Sequence, residues 1–219
     1  MHVVFSRDTL ERLEKIEAGD VDEYRLAGLL GMTVTEGPLL PGPILRGHWR
    51  GFTVEIAVSA KYESEHVEPI PLFPQPPEFT ITFHLGKTSD VEIGVRHRAL
   101  EATGIRRGQL AGDRKIMMPP NIARDYLVCG PNMRAVKFIL DDEMWDLIDR
   151  LEKFGPPELT FEYSLMKYRG IGHYVERYRE IPGLLGALVE IGRRVDSKLT
   201  IGLGKIAGPG FMGTDGGKG

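Results

Sequence analysis

Apolar residues at helical spacing mark residues 140–157 as a helix more clearly than any other part of the chain. Four of them recur at i, i+3, i+4 and i+7, beginning with Met144, which places them on one helix face. Asp141 precedes the first turn as an N-cap, and Gly155 followed by two prolines supplies a C-cap and a stop. At about 100° per residue, Trp145 falls about 60° outside the apolar stripe. It therefore either seals the edge of the core or anchors a partner.

Alternation of apolar and polar residues predicts an antiparallel sheet with one buried face. Arg50-Gly51 joins the first two strands as a hairpin, and residues 86–90 are predicted to form a turn between the next two. A short strand at 126–129, apolar on both sides, is expected to lie centrally. The predicted strands are 44–49, 52–59, 79–85, 91–97, 126–129, 159–165 and 173–179.

Capping residues and glycines delimit the other helices. They are predicted at 6–18, 20–30, 132–139 and 183–195. The order of elements is typical of an α+β fold, an antiparallel sheet with helices packed on one face. Residues 1–203 are interpreted as one domain, with a division within residues 98–125 as the alternative. Residues 204–219 contain seven glycines and are interpreted as a flexible tail.

The charge balance and the single cysteine narrow the functional classes. A net charge of -3 and a pI near 6.1 argue against a dedicated nucleic-acid binder. The N-terminus lacks the pattern of a signal peptide, and no run of about 18 apolar residues occurs, so we expect a cytoplasmic protein without a membrane span. Cys129 is the single cysteine of the sequence, so the chain cannot form an intramolecular disulfide.

No stretch carries a specific catalytic, cofactor-binding or metal-binding signature, so we assign none of these roles and expect no cofactor. Cys129 precedes a Gly-Pro turn, but no histidine forms an identifying pattern with it. A small buried residue is the favoured interpretation, and its reactivity stays open. His84 and His97 would approach each other if their strands were neighbours, although ordinary surface positions are favoured.

Two segments contain candidate contacts. Six basic residues fall within residues 96–115, and Arg106, Arg107 and Lys115 are the candidates there for an anion or a partner. A solvated loop is the favoured interpretation, and the lack of interleaved aromatic residues argues against base stacking on nucleic acid. Phe73 lies in a PxxP spacing within a proline-rich connection, where a loop packed back onto the sheet is favoured over a peptide ligand.

The hairpin at 45–54 and the sequence Arg-Asp-Tyr-Leu-Val-Cys-Gly at 124–130, leading into helix 132–154, resemble uncharacterised bacterial domains of unknown function. The resemblance covers about half of the chain and carries over no functional residue. It implies a bacterial cytoplasmic module.

Three functions follow as hypotheses. The first is a non-enzymatic interaction or structural module that contacts a protein partner or a second copy of itself. The second is an enzyme or small-ligand binder that uses residues 98–125 over the sheet, with Arg106, Arg107 or Lys115 as anion anchors. The third is nucleic-acid binding through residues 96–115. The acidic series along helix 140–157 is interpreted as a solvated face.

Overall fold

The computed structural model describes residues 21–36, 42–58, 77–102, 110–112 and 114–206, and these form one antiparallel sheet with helices against it. The helices are α1 Glu23–Leu30, α2 Ala99–Ala102, α3 Pro120–Asp125, α4 Met133–Ile139, α5 Asp142–Asp149 and α6 Ile181–Ile206, with a 3₁₀ helix at Arg150–Phe154. The strands are β1 Thr33–Thr35, β2 Ile44–Trp49, β3 Phe52–Val58, β4 Glu78–His97, β5 Arg114–Lys115, β6 Tyr126–Gly130 and β7 Glu158–Ile171. The predicted α+β class is confirmed.

The sheet runs in the order β1-β2-β3-β4-β6-β5, and β7 pairs with β4 along its other edge. The predicted hairpin between β2 and β3 is present, with Arg50 at φ 48° and Gly51 at φ 97°. Two positive φ angles in succession are the geometry of the tight turn that matches the twist of paired strands. Strand β6 is an interior strand, as predicted, but its residues alternate between buried and half-buried.

Strand β4 is a single strand of 20 residues, so the predicted turn at 86–90 is wrong. Between His84 and Ile93, β4 uses nine residues where its partner β7 uses four, from Leu165 to Phe161. The paired strands therefore bend, with β4 on the longer outer path and β7 on the inner one. The Gly-Lys-Thr-Ser-Asp sequence that resembles a turn lies on this outer path.

Strand β7 reverses its alternation at Tyr163, where the backbone takes a φ of 52°. Regular alternation from Phe161 would bury Tyr163, but Tyr163 is 57% exposed, and Met166 is buried beyond it. The side chains of Glu158 and Arg169 meet at 3.1 Å, although a straight strand would separate two residues eleven positions apart by about 36 Å. The strand therefore folds back on itself.

The predicted strand at 173–179 is absent. This segment consists of turns, and the tyrosines at 174 and 178 are buried from there against the core. The Tyr174 hydroxyl donates a hydrogen bond to the carbonyl of Pro43 at 3.2 Å. The apolar residues of this segment alternate because successive turns bury them against the core, and not because the segment is a paired strand.

Helix α6 covers the apolar face of the sheet and is longer than the predicted 183–195. At about 100° per residue, its exposed positions 183, 190, 193 and 197 fall within an arc of about 80°, so the rest of its surface between 181 and 197 is largely enclosed. Gly192 allows Phe52 to approach the helix backbone. The predicted start of a tail at 204 lies inside this helix.

Local capping signals in the sequence correspond closely to the structure. The helix predicted at 140–157 is α5 followed by the 3₁₀ helix, with Asp141 as N-cap and Gly155 after the last turn. Asn132 caps α4. Helix α1 begins later than the predicted residue 20, with Asp22 as its N-cap. The predicted helix at 6–18 and the proline-rich connection lie outside the described residues.

Candidate binding cleft

An open cleft of about 410 Å³ lies between α3 and α5, above the start of β6. Among the described residues, five carboxylates from the two sides of the cleft line it together with one guanidinium, which gives these residues a formal charge of -4. The lining residues are Asn121, Ile122, Arg124, Asp125, Tyr126, Asp142, Trp145, Asp146, Asp149 and Glu152.

The acidic wall follows from the helical period of α5. Asp142, Asp146 and Asp149 are spaced at i, i+4 and i+7, so they share one helix face, and Glu152 continues that face into the 3₁₀ helix. The sequence predicted this face to be solvated, and each of these side chains is exposed. The sequence did not indicate that α3 stands opposite and turns the face into one wall of a cleft.

Tyr126 forms the floor of the cleft. Its hydroxyl lies 2.6 Å from Glu152 Oε1 and 3.0 Å from Asp149 Oδ1. Burial, reinforced by these two acceptors, raises the pKa of Tyr126 far above its usual value. The hydroxyl therefore stays neutral, and its one hydrogen is shared between two carboxylates. Those carboxylates keep acceptor capacity that faces the open side of the cleft.

Neighbouring rings hold Tyr126 in place. The Trp145 ring lies 5.3 Å from the Tyr126 ring, and the His97 ring lies 5.1 Å away on an edge-to-face contact. His97 Nδ1 accepts a hydrogen bond from the backbone N–H of Ala99, and its Nε2 atom lies 3.4 Å from Glu152 Oε1. The floor is thus an aromatic cluster with fixed polar atoms.

Arg124 is the one cation among the lining residues. Its side chain is 79% exposed, and its Nε and Nη2 atoms donate to both carboxylate oxygens of Asp125 at 2.8 to 3.0 Å. The hydrogen bonds between them raise the pKa of Arg124 and lower the pKa of Asp125. Both groups therefore stay charged at neutral pH.

Of the two predicted contact residues that the structure describes, Trp145 lines the cleft and Lys115 does not. The Trp145 side chain is 7% exposed, which favours the sealing role over an exposed anchor. Lys115 is exposed on β5, paired across from Cys129 and outside the cleft. Arg106, Arg107 and Phe73 lie outside the described residues.

Part of the basic cluster serves the fold. Arg96 is buried and its Nε atom lies 2.6 Å from Glu158 Oε2. Arg98 donates to the carbonyl of Ala123 at 2.8 Å and lies 3.7 Å from Glu101. These two arginines are engaged within the chain, while Arg114 and Lys115 project from the edge strand.

The other sequence candidates do not form a site. Burial raises the pKa of the Cys129 thiol, against the opposing effect of Arg96 and Lys115, so the thiol form dominates at neutral pH. His84 and His97 lie in opposite halves of one strand and contact different glutamates. Within the described ranges, no group of three or more His, Cys, Asp or Glu residues is arranged to hold a metal ion.

A second, apolar pocket lies at the bend of the sheet, beside Tyr163 and the C-terminal half of α6. Its volume is about 10 Å³, which is room for about one water molecule. It is lined by Leu85, Val91, Ile93, Ile139, Phe161, Glu162, Tyr163, Leu165, Val195 and Leu199. The acidic cleft is therefore the larger of the two sites.

Comparisons with known proteins show the fold. No family model matches the chain, and no curated protein matches it. The crystal structure of the mycobacterial trehalose monomycolate transport factor A, TtfA, is similar, with 13% sequence identity and a TM-score of 0.51. The match covers 90% of this chain and 97% of that one. As for membrane crossing, none of the helices in the described ranges has the necessary length and apolarity, α6 included.

Proposed function

We propose that this chain is a bacterial, cytoplasmic, non-enzymatic interaction module whose acidic cleft receives a basic segment of a partner protein. The observation that carries the proposal is the convergence of five carboxylates, from α5, the 3₁₀ helix and α3, on one cleft whose described lining includes one guanidinium. A volume of about 410 Å³ is in the usual range of ligand sites, which are roughly 300–1,000 Å³.

Charge and geometry both favour a cationic ligand. A concave site lined by charges of one sign attracts a ligand of the opposite sign and accelerates its association. The exposed carboxylates of Asp146 and Asp149 stand one turn apart on a helix that packs on α6, so their positions are set before binding. A basic segment would therefore meet acceptors that need little rearrangement.

Lys115, the one suggested anion anchor within the described residues, does not line this cleft, whose charge suits the opposite class of ligand. The raised pKa values of Tyr126 and Cys129 also keep the first protonated and the second a thiol at neutral pH, so neither is activated as a nucleophile. These points support binding over catalysis. The name of the structural neighbour, a transport factor, agrees with an accessory role by analogy of fold alone.

A small organic cation is the second candidate, because the cleft is large enough to enclose one and Tyr126 places a polar group on its floor. A polyamine such as spermidine presents the same ammonium chemistry as a lysine-rich segment. The two sources differ in size and in the number of contacts outside the cleft, so a direct competition separates them.

A fluorescence anisotropy titration tests the proposal. The probe is a fluorescein-labelled peptide of four Arg-Gly repeats, measured at about 50 mM and about 200 mM salt. We expect the double variant Asp146→Asn/Asp149→Asn to weaken binding by about 5- to 30-fold, because each exposed charge contact contributes up to about 1 kcal/mol. Asparagine keeps an acceptor for Tyr126 at position 149.

The matched control is Glu176→Gln/Glu190→Gln, which removes two exposed carboxylates that do not line the cleft. Equal weakening by both double variants would show that net charge alone attracts the peptide, and the cleft would lose its role. No binding by the unchanged protein at low salt rejects the proposal outright. Spermidine binding with an affinity equal to that of the peptide would favour the small-cation candidate.

A further inference from the structure

Arg124 occupies the rim of the cleft in the manner expected of a ligand. It presents its guanidinium from the last turn of α3, and it binds both oxygens of a carboxylate that lines the cleft. A bidentate guanidinium–carboxylate pair is the strongest common form of this interaction. The structure thus contains an internal example of the chemistry proposed for the partner.

The pair places Arg124 in competition with an incoming cation. Asp125 has two carboxylate oxygens, and Arg124 contacts both of them at 3.0 Å or less. A second guanidinium cannot form the same bidentate contact until Arg124 leaves. Release is easy, because the Arg124 side chain is 79% exposed and the carboxylate of Asp125 is 36% exposed.

We propose that Arg124 is an intramolecular competitor that weakens occupation of the acidic cleft and is exchanged for an arginine of the partner. This inference rests on the proposed function, since it concerns regulation of the same cleft. An exchange of one guanidinium for another favours a partner whose contact residue is arginine, because lysine offers a point charge without the planar fork.

A simpler effect must be separated from competition. Removal of any positive charge near an acidic cleft strengthens its attraction for cations at long range. Competition acts through one contact, so it requires the carboxylate of Asp125. Long-range attraction does not, and the two effects therefore differ in a variant that lacks this carboxylate.

The test measures the dissociation constant of the labelled Arg-Gly peptide for four forms: unchanged protein, Arg124→Gln, Asp125→Asn and the double variant. We expect Arg124→Gln to tighten binding by about two- to five-fold, the scale of an exposed ion pair. In the Asp125→Asn background, the same substitution should change affinity by less than about 1.5-fold, because the contact is already lost.

Arg150→Gln is the matched control. Arg150 is also an exposed arginine in a surface ion pair, with Glu190 at 3.8 Å, and it does not line the cleft. Equal tightening by Arg150→Gln and Arg124→Gln would overturn the inference in favour of long-range charge. If Arg124→Gln binds the peptide with unchanged affinity, the competition inference is also overturned. The proposed function would stand in that case, because the peptide still binds. If none of the four protein forms binds the peptide, both the inference and the proposed function are rejected.

Discussion

The Asp141 carboxylate contacts α5 and α6 directly and is linked to α4 through Lys198. Substitution of Asp141 therefore gives the sharpest test of the structure. Asp141 caps α5 by accepting a hydrogen bond from the backbone N–H of Met144 at 3.0 Å. It also accepts from Arg194 Nη2 at 2.6 Å and lies 2.5 Å from Lys198 Nζ, both on α6. Lys198 in turn donates to the carbonyls of Phe138 and Ile139 at the end of α4.

The pKa of Asp141 gives the size of the effect. Burial on its own raises this pKa, but the hydrogen bonds from Arg194, Lys198 and Met144 outweigh it and lower the value to about 2, from 3.8. Full conversion at about 1.36 kcal/mol per pKa unit would give about 2.4 kcal/mol of stability at neutral pH. The carboxylate is 37% exposed, so solvent screening reduces our expectation to about 1–1.5 kcal/mol.

The sign of the pH dependence follows from the lowered pKa. Because the folded protein binds this proton less tightly than the unfolded chain, the stabilisation is complete above the unfolded value of 3.8 and is lost as pH falls towards 2. We therefore expect Asp141→Asn to lower the free energy of unfolding by about 1–1.5 kcal/mol at pH 7. About half of that difference should be gone at pH 3.

Urea unfolding followed by circular dichroism at pH 7, 5, 4 and 3 measures this difference. Asp141→Ala should lose about 1 kcal/mol more than Asp141→Asn at every pH, because asparagine still caps the helix and alanine does not. Asp146→Asn, on the same helix, is the control and should stay within about 0.5 kcal/mol of the unchanged protein. A difference between Asp141→Asn and the unchanged protein that is absent at pH 7, or constant from pH 7 to pH 3, would refute the reasoning.

Two further substitutions test packing and backbone geometry. Trp145→Ala should lower the free energy of unfolding by about 3 kcal/mol in urea unfolding, because a side chain that is only 7% exposed leaves a cavity beside Tyr126; a loss below about 1 kcal/mol would contradict its sealing role. Tyr163→Gly should raise the midpoint of thermal unfolding, because glycine relieves a φ of 52° that costs an L-residue about 1 kcal/mol. A lower midpoint would show that the Tyr163 side chain contributes more than its strained backbone costs.

Elements with local signals were predictable from sequence. The helix around α5 was recognisable because its period, its N-cap Asp141 and its stop at Gly155 all lie within 18 residues. The β2–β3 hairpin was recognisable because Arg50-Gly51 provides its turn locally. Caps and tight turns depend on a few neighbouring residues, so the local sequence is sufficient to predict them.

Elements decided by pairing were not predictable in the same way. Residues 86–90 have the composition of a turn, and only their partner strand shows that they form the outer path of a bend. The reversal at Tyr163 likewise depends on the register between β4 and β7. Alternation of residue type gives the face of a strand, but it gives neither its partner nor its register.

The sequence predicted one wall of the cleft and not the other. Asp146 and Asp149 belong to the predicted acidic face of the helix, but the opposite wall comes from α3, about 20 residues earlier. A signal was available in the sequence Arg-Asp-Tyr at 124–126, where charged residues directly precede an aromatic residue. The local sequence does not show that α3 and α5 face each other, so it does not by itself predict a cleft.

The position of α6 in the chain has a consequence for synthesis. Strands β3 and β4, whose Phe52 and Leu85 pack against this helix, are made before residue 181, so that part of the apolar face lacks its cover until α6 has been translated. Contacts such as those of Gly192 with Phe52 and Leu85 join residues more than 100 positions apart and form only after α6 has been made. The nascent sheet is therefore an expected client of chaperones that shield apolar strands until α6 is available to cover them.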